Sequence, residues 1–285
     1  MGRDSDQGPG PDDDVIAAFG GAGRPSLLPG GQGSTFMDGD LVLKPAGDEA
    51  QAIWAAQVLS TVMQDGFRTP TPIRSRDGRW VVDGWTAFER VDGEHLLGGG
   101  PWAEAIQVCG RFHSALARLP MPAFIEARTD RFGEANRLAW DESAAALPSK
   151  PLTEVISRLR SMSRPISLQE QVIHGDLAGN LLFAAGLPPA VIDFSPYWRP
   201  AGYATAVMIV DAVLWYGDGV GLMSHATDVP ELSQLLLRAL IFRLSLDGLL
   251  LQSTAPGVRW DRSQIEWDLT HAEPLVRHLA DHLDD

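Results

Sequence analysis

The sequence predicts an α+β chain with a small strand-rich first lobe and a larger, mostly helical second lobe. Three observations predict it. The first third is turn-rich with short apolar runs, the remainder repeats apolar residues at a period near 3.6, and Gly98-Gly99-Gly100 separates the two textures. At 285 residues the chain is long enough to bury sizeable cores, and 45% hydrophobic with 21% charged residues is ordinary for a globular protein.

Residues 1–14 are polar, acidic and rich in Gly and Pro, a composition that predicts a disordered tail. The first lobe is expected over 15–97. Within it, Leu27 to Ala46 reads as strand, glycine turn, strand, tight turn at Asp38-Gly39, strand. Glu49 to Gln64 is expected to be helical, with Ile53, Trp54, Val58 and Val62 along one side. Arg79 to Gly93 returns to a strand pair about the Asp83-Gly84 turn. The second lobe is expected over 98–285, with helices over 101–119, 153–162, 201–216, 231–250 and 262–282. Between them lies a compact strand region, QVIHGDLAGNLLFAAGLPPAVIDF, residues 171–194.

The formal net charge of −14 repels phosphate backbones and anionic membranes, so neither nucleic acid nor membrane is expected as a partner. Such a surface would suit a cationic small molecule, though many acidic proteins are acidic for solubility alone. The single cysteine, Cys109, rules out an internal disulfide framework and reads as a buried inert thiol. No apolar leader opens the chain, and Asp6 stands where myristoylation after Gly2 would want Ser or Thr. The most apolar stretch, 235–251, is interrupted by Arg238, Arg243 and Asp247, which favours a buried amphipathic helix over a membrane span. A soluble, cytoplasmic protein is expected; the oligomeric state is left open.

The most specific signal is His174-Gly175-Asp176-Leu177-Ala178-Gly179-Asn180, followed by Val191-Ile192-Asp193-Phe194, whose Asp193 lies thirteen residues after Asn180. Both Asp176 and Asp193 follow apolar strand residues, and a carboxylate anchored at a strand end is well held for catalysis. Phosphoryl transfer asks for a group that orients the attacking hydroxyl and accepts its proton, and for hard oxygen ligands to Mg²⁺. Asp176 suits the first role, Asn180 and Asp193 the second.

HGDLAGNLLF…VIDF resembles the catalytic and metal-binding segments of the aminoglycoside phosphotransferase and choline kinase-like family, relatives of the protein kinases. The resemblance covers roughly 15–250 and is strongest around 170–195. It implies a bilobal protein-kinase-like fold, dependence on ATP and Mg²⁺, and transfer to a hydroxyl of a small polar acceptor such as an amino sugar. It also implies that Asp176 is catalytic, that Asn180 and Asp193 bind metal, and that His174 braces the loop. An actinobacterial branch with an HGDL-x-GN loop and an IDFSPYWRP-like stretch is the nearest in pattern.

One departure bears on activity. Kinase loops place four residues between the catalytic Asp and the metal Asn, whereas only Leu177-Ala178-Gly179 stand between Asp176 and Asn180. The missing residue would rotate the Asn amide or be absorbed by a different bend, with Gly179 supplying permissive backbone. Ser195 also stands where protein kinases carry the Gly of Asp-Phe-Gly.

Upstream, Gly30, Gly31, Gly33 and Ser34 form a loop whose backbone N–H groups would cradle phosphates; an ordinary hairpin turn accounts for it equally well. Lys44 lies one strand later, where kinases grip the α- and β-phosphates; a solvated strand lysine is the plain alternative. Glu49, or Asp48, either pairs with Lys44 or complements the dipole of the helix it opens. Phe88-Glu89-Arg90-Val91 would be the hinge whose backbone meets an adenine.

Other residues favour plain readings. His271, His278 and His282 lack the carboxylate of a zinc motif. Trp198 reads as core before substrate wall, Asp141 and Glu142 as a solvated face as readily as an amine site. Asp211, on an apolar helix, is expected to pair with something structural that braces the catalytic loop. Two readings compete with a phosphotransferase. One is a kinase-like binding protein without catalysis, motivated by the shortened loop; the other is a hydrolase or lyase using Asp176 and Asp193, which would leave Lys44 and the glycine loop without a role.

Overall fold

The computed structural model describes residues 10–28, 34–141, 143, 146–252 and 262–282. The chain divides into two compact units, one of residues 1–94 with 182–192 and one of 95–181 with 193–285.

The first unit opens with helix α1 (Asp13–Ala18), so the acidic run expected to be disordered in fact starts a helix. Asp12 caps it by accepting from the Val15 N–H at 2.9 Å, and Asp13 and Asp14 sit in the first turn, where negative charge is favoured. Val15 and Ile16 bury themselves with Leu41, Leu43, Val82 and Ala87 to form the core.

Strands β1 (Ser26–Leu27), β2 (Phe36–Asp38), β3 (Leu41–Pro45), β4 (Pro72–Ile73) and β5 (Trp85–Glu89) form an antiparallel sheet in the order β1-β2-β3-β5-β4. Helix α2 (Glu49–Leu59) follows β3. Asp83 and Gly84 take φ of 47° and 78°, both positive as a two-residue primed hairpin turn requires. Strands β6 (Glu94–His95), β8 (Leu181–Ala184) and β9 (Leu187–Val191) form a second sheet in the order β6-β8-β9.

The hairpin of β8 and β9 was expected in the second lobe, yet residues 182–192 segregate with the first unit. Arg68 ties them there. Its backbone N–H donates to the Pro189 carbonyl at 2.9 Å, its carbonyl accepts from Val191 at 2.8 Å, and its Nε donates to the Pro188 carbonyl at 2.7 Å. Gly93, at φ 146°, completes the approach: a Cβ there would lie 2.8 Å from the Leu182 Cβ.

The second unit holds α3 (Trp102–Leu116), α4 (Ala123–Glu126), α5 (Arg131–Ala139), α6 (Lys150–Met162), α7 (Ala201–Trp215), α8 (Leu232–Leu251) and α9 (Arg262–Asp281), with β7 (Glu170–His174) and β10 (Pro196–Pro200). Sequence reasoning did not anticipate α4, α5 or β10. Proline at both ends of β10 conceals a strand that pairs with β7 alone, in the register Pro196 to His174 and Pro200 to Glu170. Helix α8 is buried almost all round, and its three charges point into the protein rather than to solvent. Among the described residues no helix is long and apolar enough to cross a membrane.

Candidate active site

Strand β7 carries the site. Val172, Ile173 and His174 are fully buried, which fixes the strand end from which Gly175 and Asp176 emerge. Two histidines lock the exit. The His174 backbone N–H donates to His113 Nε2 at 2.9 Å, and His113 Nδ1 in turn meets the Cys109 carbonyl at 2.7 Å, so Nδ1 carries the proton. Burial holds the His113 imidazole neutral, pushed down to about 3. His174 Nδ1 accepts from the Asp176 N–H at 3.2 Å. His174 therefore sits where the bracing role implied by the resemblance would place it.

Gly175 is needed for space, not for a special backbone angle. A Cβ there would lie 2.3 Å from Cδ2 and 2.5 Å from Cε2 of the buried Tyr197 ring on β10. Its N–H donates to the Ser195 carbonyl at 3.0 Å, and the Phe194 ring lies 5.7 Å from that of His174. The HGD strand exit and the Phe194-Ser195 end of the second segment thus run side by side.

The short Asp176–Asn180 loop closes as a 3₁₀ turn over Ala178–Asn180, with the Asn180 N–H donating to the Leu177 carbonyl at 2.9 Å. This tight turn spans the three residues between Asp176 and Asn180. Gly179 does not adopt a positive φ, so the permissive backbone expected of it is not used. Asn180 Nδ2 donates to the Asp176 carbonyl at 2.6 Å and lies 3.4 Å from Asp176 Oδ2, which turns Oδ1 of the amide to the other side. Asp193 is exposed and held at φ 54°, a region that L-residues other than Asn and Asp seldom occupy.

A residue that sequence reasoning left aside anchors Asp176. Arg243, on α8, donates from Nη2 to Asp176 Oδ1 at 2.7 Å. Its Nε and Nη2 also donate to the two oxygens of Asp211, on α7, at 2.6 and 2.5 Å. The side chains of Arg243 and Asp211 are 2% and 1% exposed, while that of Asp176 is 47% exposed. Burial opposes the charge on Arg243, but the carboxylates of Asp211 and Asp176 overcome it and strengthen its hold on the proton. Burial pushes Asp211 up to about 7, against the pull of Arg243. The bracing role expected of Asp211 is thus exercised through Arg243. A charged residue among the apolar residues of α8 was the available signal.

In the first unit, Lys44 lies half-buried on β3, where burial lowers its ammonium to about 8. Asp48 caps α2, accepting from the Gln51 N–H at 2.8 Å, and the exposed Glu49 occupies the first turn, where it complements the helix dipole. Phe88 and Glu89 end β5; the Glu89 N–H donates to the Thr71 carbonyl and that of Arg90 to the Asp40 carbonyl, both at 2.8 Å. Gly30, Gly31 and Gly33 lie outside the described residues, as does Glu142; Ser34 follows that loop.

Cys109 is buried, its thiol pushed up to about 12. Among the described residues no group of three or more His, Cys, Asp and Glu is placed together to hold a metal ion; His271 and His278 lie on α9 and His282 just beyond its end. Asp141 pairs with Arg160 at 3.4 Å. Trp198 lines a cavity of about 580 Å³ with Trp140, Ser167 and Glu170.

A two-unit chain with an HGD strand exit, an Asn one turn on and an Asp-Phe segment beside it defines a kinase-like enzyme. The model of the phosphotransferase enzyme family, APH, matches residues 33–197, more than half of the chain, and the protein belongs to that family. Solved structures share the fold. An amicoumacin kinase in complex with AMP-PNP, Ca²⁺ and Ami is 15% identical, with a TM-score of 0.63 and 94% of each chain covered. A choline/ethanolamine kinase family protein from Mesorhizobium loti is 16% identical, TM-score 0.60, covering 94% of this chain and 97% of its own. Spectinomycin phosphotransferase APH(9)-Ia with ADP and spectinomycin is 14% identical, TM-score 0.58, covering 95% and 96%. No curated protein sequence matches the chain.

Proposed function

We propose that the protein transfers the γ-phosphoryl group of ATP to a hydroxyl of a small polar acceptor, with Asp176 as the catalytic carboxylate. The observation that carries this reading is the placement of Asp176: half-exposed at the end of a buried strand, with one oxygen held by Arg243 and Asn180 hydrogen-bonded across the turn. Asp176 Oδ2 would orient the acceptor hydroxyl and take its proton as the new O–P bond forms and the bond to ADP breaks. Lys44 would meet the α- and β-phosphates. The Gly30–Ser34 loop would cover them, and the strand end at Phe88 and Glu89 would border the adenine.

Asn180 Oδ1 and the Asp193 carboxylate are hard oxygen donors of the kind Mg²⁺ takes alongside substrate phosphates. The bound metal would supply neutralisation of phosphate charge. The net charge of −14 supports a cationic acceptor, an amino sugar or aminoglycoside, as do the antibiotic kinases that share the fold. The one-residue-shorter loop favours a second reading, a kinase-like binding protein without turnover.

Asp176→Ala should abolish ATP consumption while leaving nucleotide binding intact. Mg²⁺-ATP at a hundred times its Kd should stabilise the wild type by about 2.7 kcal/mol, and Asp193→Ala should remove that shift. Undiminished turnover in Asp176→Ala would exclude the mechanism. Stabilisation by nucleotide without ATP consumption across a panel of acceptors would select the binding protein.

A further inference from the structure

We infer that Arg243 is the positioning residue for phosphoryl transfer, an inference that rests on the phosphotransferase reading of Asp176. Its guanidinium meets three carboxylate oxygens at 2.5 to 2.7 Å. Two belong to the buried Asp211, which fixes the plane of the fork; the third is Oδ1 of Asp176. The Trp215 ring lies 5.0 Å from the guanidinium, which further restricts its rotation. The fork has one orientation, set by a bidentate partner on α7, and it imposes that orientation on the Asp176 side chain.

The division of labour at Asp176 follows from these contacts. Oδ1 is held from the buried side. Oδ2, with only the 3.4 Å approach of Asn180 Nδ2 among the described residues, is the oxygen left to face an acceptor hydroxyl. Without Arg243 the half-exposed carboxylate would rotate about its χ angles and present either oxygen in many directions. Misplacement of a catalytic group by about 1 Å costs on the order of 10²-fold in rate. Arg243 does not itself touch the acceptor. It acts through Asp176, so its loss should lower kcat and spare nucleotide affinity.

The test measures kcat for hydrolysis of Mg²⁺-ATP with water as acceptor, and the Kd of AMP-PNP by calorimetry. The variant is Asp211→Leu with Arg243→Met, which removes both buried charges together and so avoids stranding one of them. Asp211→Asn is the second variant; its amide offers one acceptor oxygen to the fork instead of two. The double variant is expected to lose on the order of 10²-fold in kcat, and Asp211→Asn about 10-fold, with the AMP-PNP Kd unchanged in both. If the double variant does not fold, Asp211→Asn alone decides. Wild-type kcat in the folded variants, a rise in kcat, or an equal loss of nucleotide affinity would overturn the positioning role. A wild-type protein that consumes no ATP with water or across a panel of acceptors would overturn the phosphotransferase reading itself, which is a separate result.

Discussion

Replacing Gly175 by Ala places one methyl group against one aromatic ring, which makes the consequence calculable. The new Cβ would sit 2.3 and 2.5 Å from two Tyr197 ring carbons. Carbon atoms at rest keep about 3.5 to 4.0 Å, so the ring or the strand must yield by about 1 Å. Neither yields freely. The Arg128 guanidinium lies 4.5 Å over the ring, Phe242 packs at 6.0 Å, and Tyr197 is paired through its backbone to Ile173 on β7. Overpacking of this kind costs about 1 to 3 kcal/mol. Urea midpoints followed by tryptophan fluorescence would read the loss, in the wild type and in a Tyr197→Ala background. In that background the methyl enters vacated space, and its cost should fall to about zero, a coupling of about 1 to 3 kcal/mol. An equal cost in both backgrounds would show that Gly175 is required for its backbone and not for the space beside Tyr197.

Two further predictions concern charge and strain. The His113 value is depressed to about 3, so its contribution to stability is complete above the ordinary imidazole value and is lost as pH falls toward 3. Asp211 runs the other way: its value is raised to about 7, so its stability is present at low pH and lost as pH rises through 7. The two shifts act in opposite directions as pH falls from 7. Asp211→Asn should therefore expose the His113 slope, a loss of about 2 kcal/mol between pH 7.5 and 5 relative to wild type; parallel pH profiles of the urea midpoint would contradict this. Asp193 holds φ at 54°, which Asn tolerates and Ala does not, so Asp193→Ala should be less stable than Asp193→Asn by about 1 kcal/mol in the same measurement.

The elements that sequence periodicity located are those whose burial is one-sided and whose punctuation is local. Helix α3 was legible because Ile106, Cys109, Phe112 and Leu116 mark one face, and the turn before β5 because Asp83-Gly84 suits it, although the strand expected before that turn is reduced to a bridge between Val82 and Trp85. Helix α1 was obscured by an acidic run that reads as disorder, although the same residues cap and charge a helix start. Strand β10 was obscured by its prolines, and α5 because it is short and broken in pattern by Arg131, Glu134 and Arg137.

By itself the sequence named the candidate residues of the proposed site. Residue type and spacing name Asp176, Asn180 and Asp193, because the hard oxygens and strand-end carboxylate that phosphoryl transfer needs are close together in the chain. What surrounds them was decided by tertiary structure. Arg243 lies 67 residues from Asp176 and Tyr197 is opposite Gly175 only through strand pairing, and spacing along a chain carries no signal for either contact. The β8-β9 hairpin joined the first unit for the same reason, since its partner Arg68 is 120 residues away from Pro188. Local chemistry is written in neighbouring residues, whereas the orientation of a side chain is set by whatever the fold packs against it.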